Sequence, residues 1–224
     1  MTFSLVGYCE RTGMVGMAVT TSSICVGARC VWVEAGVGAV ATQNLTDPRL
    51  GSLGLDLLRK GYSAGAVVAE LVKAGAYPEH RQLGVIACDG HTAAHTGEKV
   101  YQANNEYLGK NVVAVGNLLS TIEVPVAMGQ AFEEDTGLHL AERLLRGLEA
   151  GKAAGGEVGK NEHSAGLMVY DRLPFPLVDL RVDWHDEPVA EVRRLWARYE
   201  PEMADFMGRA TQPNKARPHP TTPQ

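Results

Sequence analysis

Paired strands alternate with paired helices along this chain, and that order leaves few architectures open. Residues 3–9 and 14–21 are apolar runs joined by Glu10-Arg11-Thr12-Gly13, a pattern that predicts an antiparallel hairpin. Residues 24–33 and 37–42 form a second pair joined through Glu34-Ala35-Gly36. The glycines of Ala35-Gly36-Val37-Gly38 predict close backbone approach there. A helix is expected from Asp47-Pro48, because Asp caps free N–H groups and Pro fits the first turn. Leu50, Leu53, Leu57 and Leu58 supply its apolar stripe and Gly61 ends it. A second helix runs from Ser63 to Gly75. Strands return at Leu83–Cys88 and Thr92–His95 around the turn Asp89-Gly90, and again at Val112–Val115. Helices are expected over 119–133 and 137–150, the latter closed by Gly151, then strands at Ala165–Tyr170 and Leu177–Val182, then a helix over 188–208. Short turns between strands imply antiparallel sheets, and segregated helix pairs imply α+β layering. Two antiparallel sheets stacked face to face, each covered by a helix pair, bury every apolar face. The expected fold is a four-layer α-β-β-α sandwich. Residues 1–210 are expected to form one domain, and the Pro-rich, polar segment 211–224 a disordered tail.

Composition excludes several functions. The formal net charge is −5 with both signs interspersed, and no Lys/Arg block suggests a nucleic-acid partner. No signal peptide or long apolar span is present, so the expected location is cytoplasmic, away from membranes. Cys9, Cys25, Cys30 and Cys88 form no CxxC pair and read as small hydrophobes of a reducing compartment. His91 and His95 lack a carboxylate at a zinc-like offset, so no metal is expected. The absence of a Gly-rich phosphate motif leaves no organic cofactor expected either.

The first strand begins on Thr2, behind Met1. Methionine aminopeptidases remove an initiator Met before a small residue, which would expose a terminal threonine. Such a residue carries nucleophile and base together: its hydroxyl attacks and its α-amine takes the proton. The α-amine titrates at roughly 7.7–8, against about 10.4 for Lys, so much more of it is neutral near pH 7. A strand-start threonine under a retained Met1 is the ordinary alternative.

An ordered set of short segments resembles one family. It includes Thr2-Phe3-Ser4-Leu5-Val6, Gly36-Val37-Gly38-Ala39-Val40-Ala41-Thr42-Gln43, Gly54-Leu55, Ala93-Ala94-His95-Thr96-Gly97 and Gly116-Asn117. It continues with Ala127-Met128, Ala131-Phe132, Glu142-Arg143-Leu144-Leu145, Gly155-Gly156, Ser164-Ala165 and Asp179-Leu180-Arg181-Val182-Asp183. In this the chain resembles the domain-of-unknown-function 1028 family, described as N-terminal nucleophile hydrolases of the α-β-β-α sandwich fold. Two positions depart from that family's pattern. His163 stands where a Gln precedes the Ser-Ala pair, and Glu34 stands where many members carry Arg. Both point to a subgroup with a different substrate.

The resemblance implies an amidohydrolase that cleaves a small amide through an acyl-enzyme on Thr2, and by analogy a homodimer. It implies that a polar residue at the end of the second strand, where Ser22 and Ser23 stand, orients the terminal amine; the two are equally readable as a turn serine pair. Arg29 would supply the positive field that a Lys gives in proteasome-like relatives, although it cannot shuttle a proton. Arg29 and Glu34 are equally readable as solvated strand charges. Thr42, Gln43 and Asn44 lie where a Gly-rich strand feeds a capped helix, so they either line an oxyanion site at the helix start or only close the turn. Asn117 would donate to the oxyanion or the substrate carbonyl. His95 would line the pocket or serve as a structural histidine. The rival expectation is a catalytically silent protein of the same fold that keeps Met1 and binds a small metabolite or a partner.

Overall fold

The computed structural model describes residues 1–159 and 162–215. Strand β1 (Thr2–Tyr8) zips antiparallel onto β2 (Val15–Thr21), with Tyr8 opposite Val15 and Phe3 opposite Thr20. On its other side β1 pairs with β8 (Val112–Asn117), placing Thr2 opposite Asn117. With β7 (Asn105–Gly109), β9 (Ser164–Tyr170) and β10 (Val178–Val182), these strands make a six-stranded antiparallel sheet of order β10-β9-β2-β1-β8-β7. A second sheet, β3-β4-β5-β6, contains Val31–Glu34, Gly38–Asn44, Arg81–Ala87 and Thr92–Thr96.

Strand alternation sorts the side chains into three apolar layers. Val6, Met17, Val19, Ala39, Ala41, Ile86, Val113 and Val115 fill the space between the sheets. Phe3 and Leu5 point the other way, onto helices α3 (Val124–Glu133) and α4 (Leu140–Ala153), where they meet Met128, Phe132, Leu144 and Leu148. Val40, Leu83 and Val85 pack outward onto α1 (Pro48–Arg59) and α2 (Ala64–Ala74). The architecture is therefore the expected four-layer α-β-β-α sandwich of two antiparallel sheets. Each fully buried Val, Leu or Phe contributes roughly 1.5–3 kcal/mol, against roughly 0–1 kcal/mol for an exposed ion pair. The apolar layers, and not the surface ion pairs, hold the sandwich together.

Local signals set most boundaries. The Asp47 carboxylate caps α1 by accepting the Arg49 N–H, and Ser63 caps α2. Gly38 lies so close to β5 that a Cβ there would stand 2.3 Å from the Ile86 carbonyl oxygen, the close approach expected of this glycine run.

Other boundaries differ from the sequence reading. Residues 24–30 are apolar yet form a loop with a short 3-10 turn, because Val26 is buried end-on against the intersheet core instead of through strand pairing. Helix α3 begins at Val124, not at 119, since Leu118 takes a left-handed φ of 52° and diverts the chain after β8. Helix α4 runs through Gly151. A Cβ there would meet the Met128 Cγ at 2.6 Å, so the glycine serves helix packing and does not end the helix. The last helical region is broken by Pro201 into α5 (Pro188–Tyr199) and α6 (Met203–Thr211). The half-exposed strand β7 carries no strong apolar alternation, and the sequence reading assigns no strand there. Of the tail, residues 216–224 lie outside the described residues. Among the described residues no helix is long and apolar enough to cross a membrane.

Candidate functional site

The space between the sheets changes character along β1. At Val6 it is lined by Val, Met and Ile, while at Thr2 it is lined by buried polar side chains from five strands. Thr2 and Ser4 on β1, Thr21 on β2, Gln43 on β4, Gln82 on β5 and Asn117 on β8 all share this inner face, each at most 6% exposed. Unpaired polar groups here would cost about 1–3 kcal/mol each, and most are paired. The Ser4 hydroxyl donates to Gln43 Oε1 at 2.6 Å, and Gln43 Nε2 donates to Gln82 Oε1 at 2.8 Å. Asn117 Nδ2 donates to the same Gln82 oxygen at 3.0 Å, while Gln82 Nε2 donates to the Gly116 carbonyl at 2.9 Å. This chain of amides ties the two sheets together. One atom is left over: the buried Asn117 Oδ1 has no hydrogen-bond partner.

At the start of β1 the Thr2 and Thr21 hydroxyl oxygens are 3.1 Å apart, and each donates toward the Met1 carbonyl oxygen. The nucleophile expected from sequence thus lies in a buried hydroxyl pair, with Met1 still attached and occupying its donors. Two carboxyls approach from the loop after α4. Glu157 and Glu162 are 0% and 2% exposed. Glu157 Oε1 accepts the Ser22 N–H at 3.2 Å, and Glu162 Oε1 accepts the Glu157 N–H at 3.0 Å. The second oxygen of each is buried without a partner among the described residues. Burial first, and Glu162 after it, raise the Glu157 carboxyl to about 7 against the downward pull of the N-terminal ammonium.

The loop that carries these carboxyls is tied down on both sides. Val158 donates to the Leu118 carbonyl at 3.0 Å, Ser120 to the Gly156 carbonyl at 3.0 Å, and His163 to the Thr21 carbonyl at 2.8 Å. Gly156 (φ +61°) is needed there, because a Cβ would stand 2.3 Å from Glu162 Oε1. The His163 ring turns away and stacks on Trp184, with centroids 4.4 Å apart.

The structure brings together only some of the residues singled out from sequence. Thr2, Asn117 and Gln43 meet at one end of the intersheet space, but Gln43 is committed to the cross-sheet ties. Ser22 reaches the site through its backbone N–H, and the side chain beside Thr2 is Thr21. The sequence reading placed this contact one residue too far along, because pairing of Phe3 with Thr20 sets Thr2 beside Thr21.

The remaining candidates lie elsewhere. Arg29 donates to the Ile24 carbonyl at 2.7 Å and closes its own loop. Glu34 sits at the opposite end of the small sheet and pairs with Arg59. Thr42 bonds the Asp47 carbonyl at 3.4 Å, Asn44 bonds the His80 carbonyl at 2.8 Å, and His95 contacts the Pro78 carbonyl at 3.1 Å. His95 pairs with Leu83, so it shares the outer, helix-covered face of its sheet. The start of α1 offers no oxyanion site of the kind expected, since Asp47 takes the Arg49 N–H and Pro48 has none.

Glu157, Glu162, Gln82 and Thr21 were missed. Gln82 carried a signal, a glutamine in phase with Gly84 and Ile86 on a strand. Glu157 and Glu162 carried none, because Glu157 meets Ser22, 135 positions earlier, and Glu162 is held in turn by the Glu157 N–H. Among the described residues no group of three or more His, Cys, Asp or Glu side chains could hold a metal ion.

An open cavity lies at the other end of β1. A cavity of about 380 Å³ is lined by Cys9, Arg11, Lys110, Glu133 and Arg143, among others, and does not include Thr2.

Comparisons with known proteins agree with this fold. No curated protein matches the chain. Among solved structures, the crystal structure of protein SPO2555 from Silicibacter pomeroyi, assigned to DUF1028, superposes with a TM-score of 0.84 at 29% identity, covering 92% of this chain and 89% of that one. Anbu (ancestral beta-subunit) from Yersinia bercovieri aligns over 92% of this chain and 96% of its own at 11% identity and a TM-score of 0.37. Residues 2–192 match the family of unknown function DUF1028, and the chain belongs to that family.

Proposed function

We propose that this protein is an N-terminal nucleophile amidohydrolase in which Thr2, freed of Met1, cleaves the C–N bond of a small amide. The observation that carries the reading is the position of the Thr2 hydroxyl. It is buried at the polar end of the intersheet space, paired with Thr21 and opposite Asn117. The α-β-β-α layering and the segments resembling N-terminal nucleophile hydrolases support it.

In the proposed reaction the Thr2 α-amine accepts the hydroxyl proton while Oγ1 attacks the amide carbonyl carbon. The Asn117 side-chain amide donates an N–H to the developing oxyanion; removing one such donor typically costs about 2.7–4 kcal/mol of barrier stabilisation. The amine then passes its proton to the departing nitrogen, leaving an acyl ester on Thr2. Water, deprotonated by the same amine, hydrolyses that ester. No organic cofactor or metal enters the scheme.

A second reading has its own support. Thr2 is only 6% exposed and its hydroxyl is engaged by the Met1 carbonyl. A chain that keeps Met1 is a binding protein of the same fold. Intact mass separates the two: the enzyme reading expects a mass lacking one methionine residue, and a retained Met1 ends it. Small amides, ureides and γ-glutamyl compounds then serve as a substrate panel, and Thr2→Ala is expected to abolish turnover in a chain that still folds by circular dichroism.

A further inference from the structure

Two carboxyls buried at the Thr2 end have no part in the reaction as written. Each has one oxygen held by a backbone N–H and one buried oxygen with no donor among the described residues. Buried acceptors without donors are costly and uncommon in native proteins, and here two of them, with Asn117 Oδ1, flank a single chain terminus. Trimming Met1 adds one new donor to this space, the α-amine of Thr2, with up to three N–H groups. Its location fits. The Met1 carbonyl is held by the Thr21 hydroxyl, and the next residue along, Ser22, holds Glu157 by its N–H.

We propose that Glu157 is the positioning residue for the α-amine of processed Thr2. Its free carboxylate oxygen takes an amine N–H and turns the nitrogen lone pair toward the Thr2 hydroxyl, while Glu162 holds the Glu157 backbone N–H. This rests on the nucleophile reading above. Among the described residues, the charged groups that face Glu157 are the chain's N-terminal ammonium and Glu162, and the residue just past β2 contributes the Ser22 N–H. The neighbouring imidazole, His163, stacks on Trp184 instead. A carboxylate beside an ammonium stabilises the protonated form. The arrangement therefore raises the pH at which the amine becomes a free base, and in return fixes its direction.

The test uses the trimmed protein, verified by intact mass, and a β-lactone as acylating probe across a pH series. Ring opening joins the lactone acyl carbon to Thr2 Oγ1, breaks the ring C–O bond and leaves the proton on the released oxygen. The adduct is a simple addition, read by mass and removed by hydroxylamine, and Thr2→Ala gives the background. In Glu157→Gln the limiting acylation rate is expected to fall about tenfold, a part of the roughly 10²–10⁴-fold that positioned proton transfer supplies. Its acid limb is expected to move to lower pH by about one unit, because the ammonium loses a neighbouring negative charge. Glu162→Gln is expected to move the limb in the same direction by less, which gives a second readout if Glu157→Gln does not fold. A merely structural carboxyl would lower the amount of folded protein without moving the limb. Labelled wild type with an unmoved limb and rate in Glu157→Gln, or an unmoved limb in Glu162→Gln, overturns the role of Glu157 and leaves Thr2 standing. Trimmed wild type that takes no hydroxylamine-labile adduct overturns the nucleophile reading itself.

Discussion

The two ends of β1 differ in opposite ways. Around Cys9 there is room, a cavity of about 380 Å³, and its charged side chains have partners: Arg11 on the Gly137 carbonyl, Lys110 on Glu10, Glu133 on Tyr107, Arg143 on the Phe132 carbonyl and ring. Around Thr2 the packing is tight, and buried oxygens of Asn117, Glu157 and Glu162 lack donors. These three oxygens and the cavity therefore lie at opposite ends of β1. Volume at the Cys9 end follows from loops that diverge around a hairpin. Unsatisfied acceptors at the Thr2 end are harder to explain as packing, because an apolar replacement would remove their cost. The difference argues that function follows the orphaned acceptors and not the space.

The largest expected effect sets one end against the other directly. Thr2→Ala should abolish β-lactone acylation, whereas Arg11→Ala, at the cavity, should leave it at the wild-type rate; adduct mass against time measures both. Loss of acylation in Arg11→Ala would break the comparison.

Next in size is a pH effect confined to the Thr2 end. The folded-state carboxyl of Glu157 is pushed up to about 7, against an ordinary 4.5. Below pH 4.5 the folded and unfolded chains both hold this proton and its contribution is fully present. Between 4.5 and 7 the unfolded chain releases the proton while the folded chain keeps it, so stability falls as pH rises. At about 1.36 kcal/mol per unit, the loss amounts to about 3 kcal/mol. Urea unfolding of wild type and Glu157→Gln at pH 4.5 and 7.5 should show the variant gaining on wild type by that order at the higher pH.

Gln82 and Ile86 then sharpen the contrast within one strand and one face. Gln82→Leu leaves Gln43 Nε2, Asn117 Nδ2 and the Gly116 carbonyl without a partner they now share. It should destabilise by about 3 kcal/mol, the upper end for buried unsatisfied groups, and lower Tm by roughly 6–12 °C for a chain of this size. Ile86→Val, at the apolar end, should cost only about 0.5–1.5 kcal/mol.

How far these differences were legible depends on whether their cause is local. The helices starting after Asp47 and Ser63, the Asp89-Gly90 turn and the hairpin of β1 and β2 rest on neighbouring residues, and they lie where expected. Thr2 and Asn117 were also legible, each by its position at a strand end, and the register of β1 and β8 sets them opposite each other. The rest depends on distant contacts. Thr21 needed the hairpin register to the residue, since one step moves a side chain to the other face. Asn44, Thr42 and His95 look site-like in sequence, but their strand phase or turn commits them to carbonyls elsewhere. Glu157 and Glu162 sit in a Gly-rich loop that reads as solvated, and only the folded chain brings them against Ser22 and the N-terminus.

The smallest expected effect concerns Glu34, singled out in sequence and placed by the structure at the far end of its sheet. Its carboxylate pairs with Arg59, and the two side chains are 34% and 51% exposed. Exposed pairs of this kind contribute roughly 0–1 kcal/mol, because water screens the attraction and two flexible side chains must be held in place. Glu34→Ala should therefore shift the urea midpoint by no more than that, with an unchanged m-value, and leave Thr2 acylation and its acid limb untouched. A moved limb would mean that charge at the far end of the small sheet reaches the terminal amine, and the separation of the two ends would fail as an account of where this protein does its chemistry.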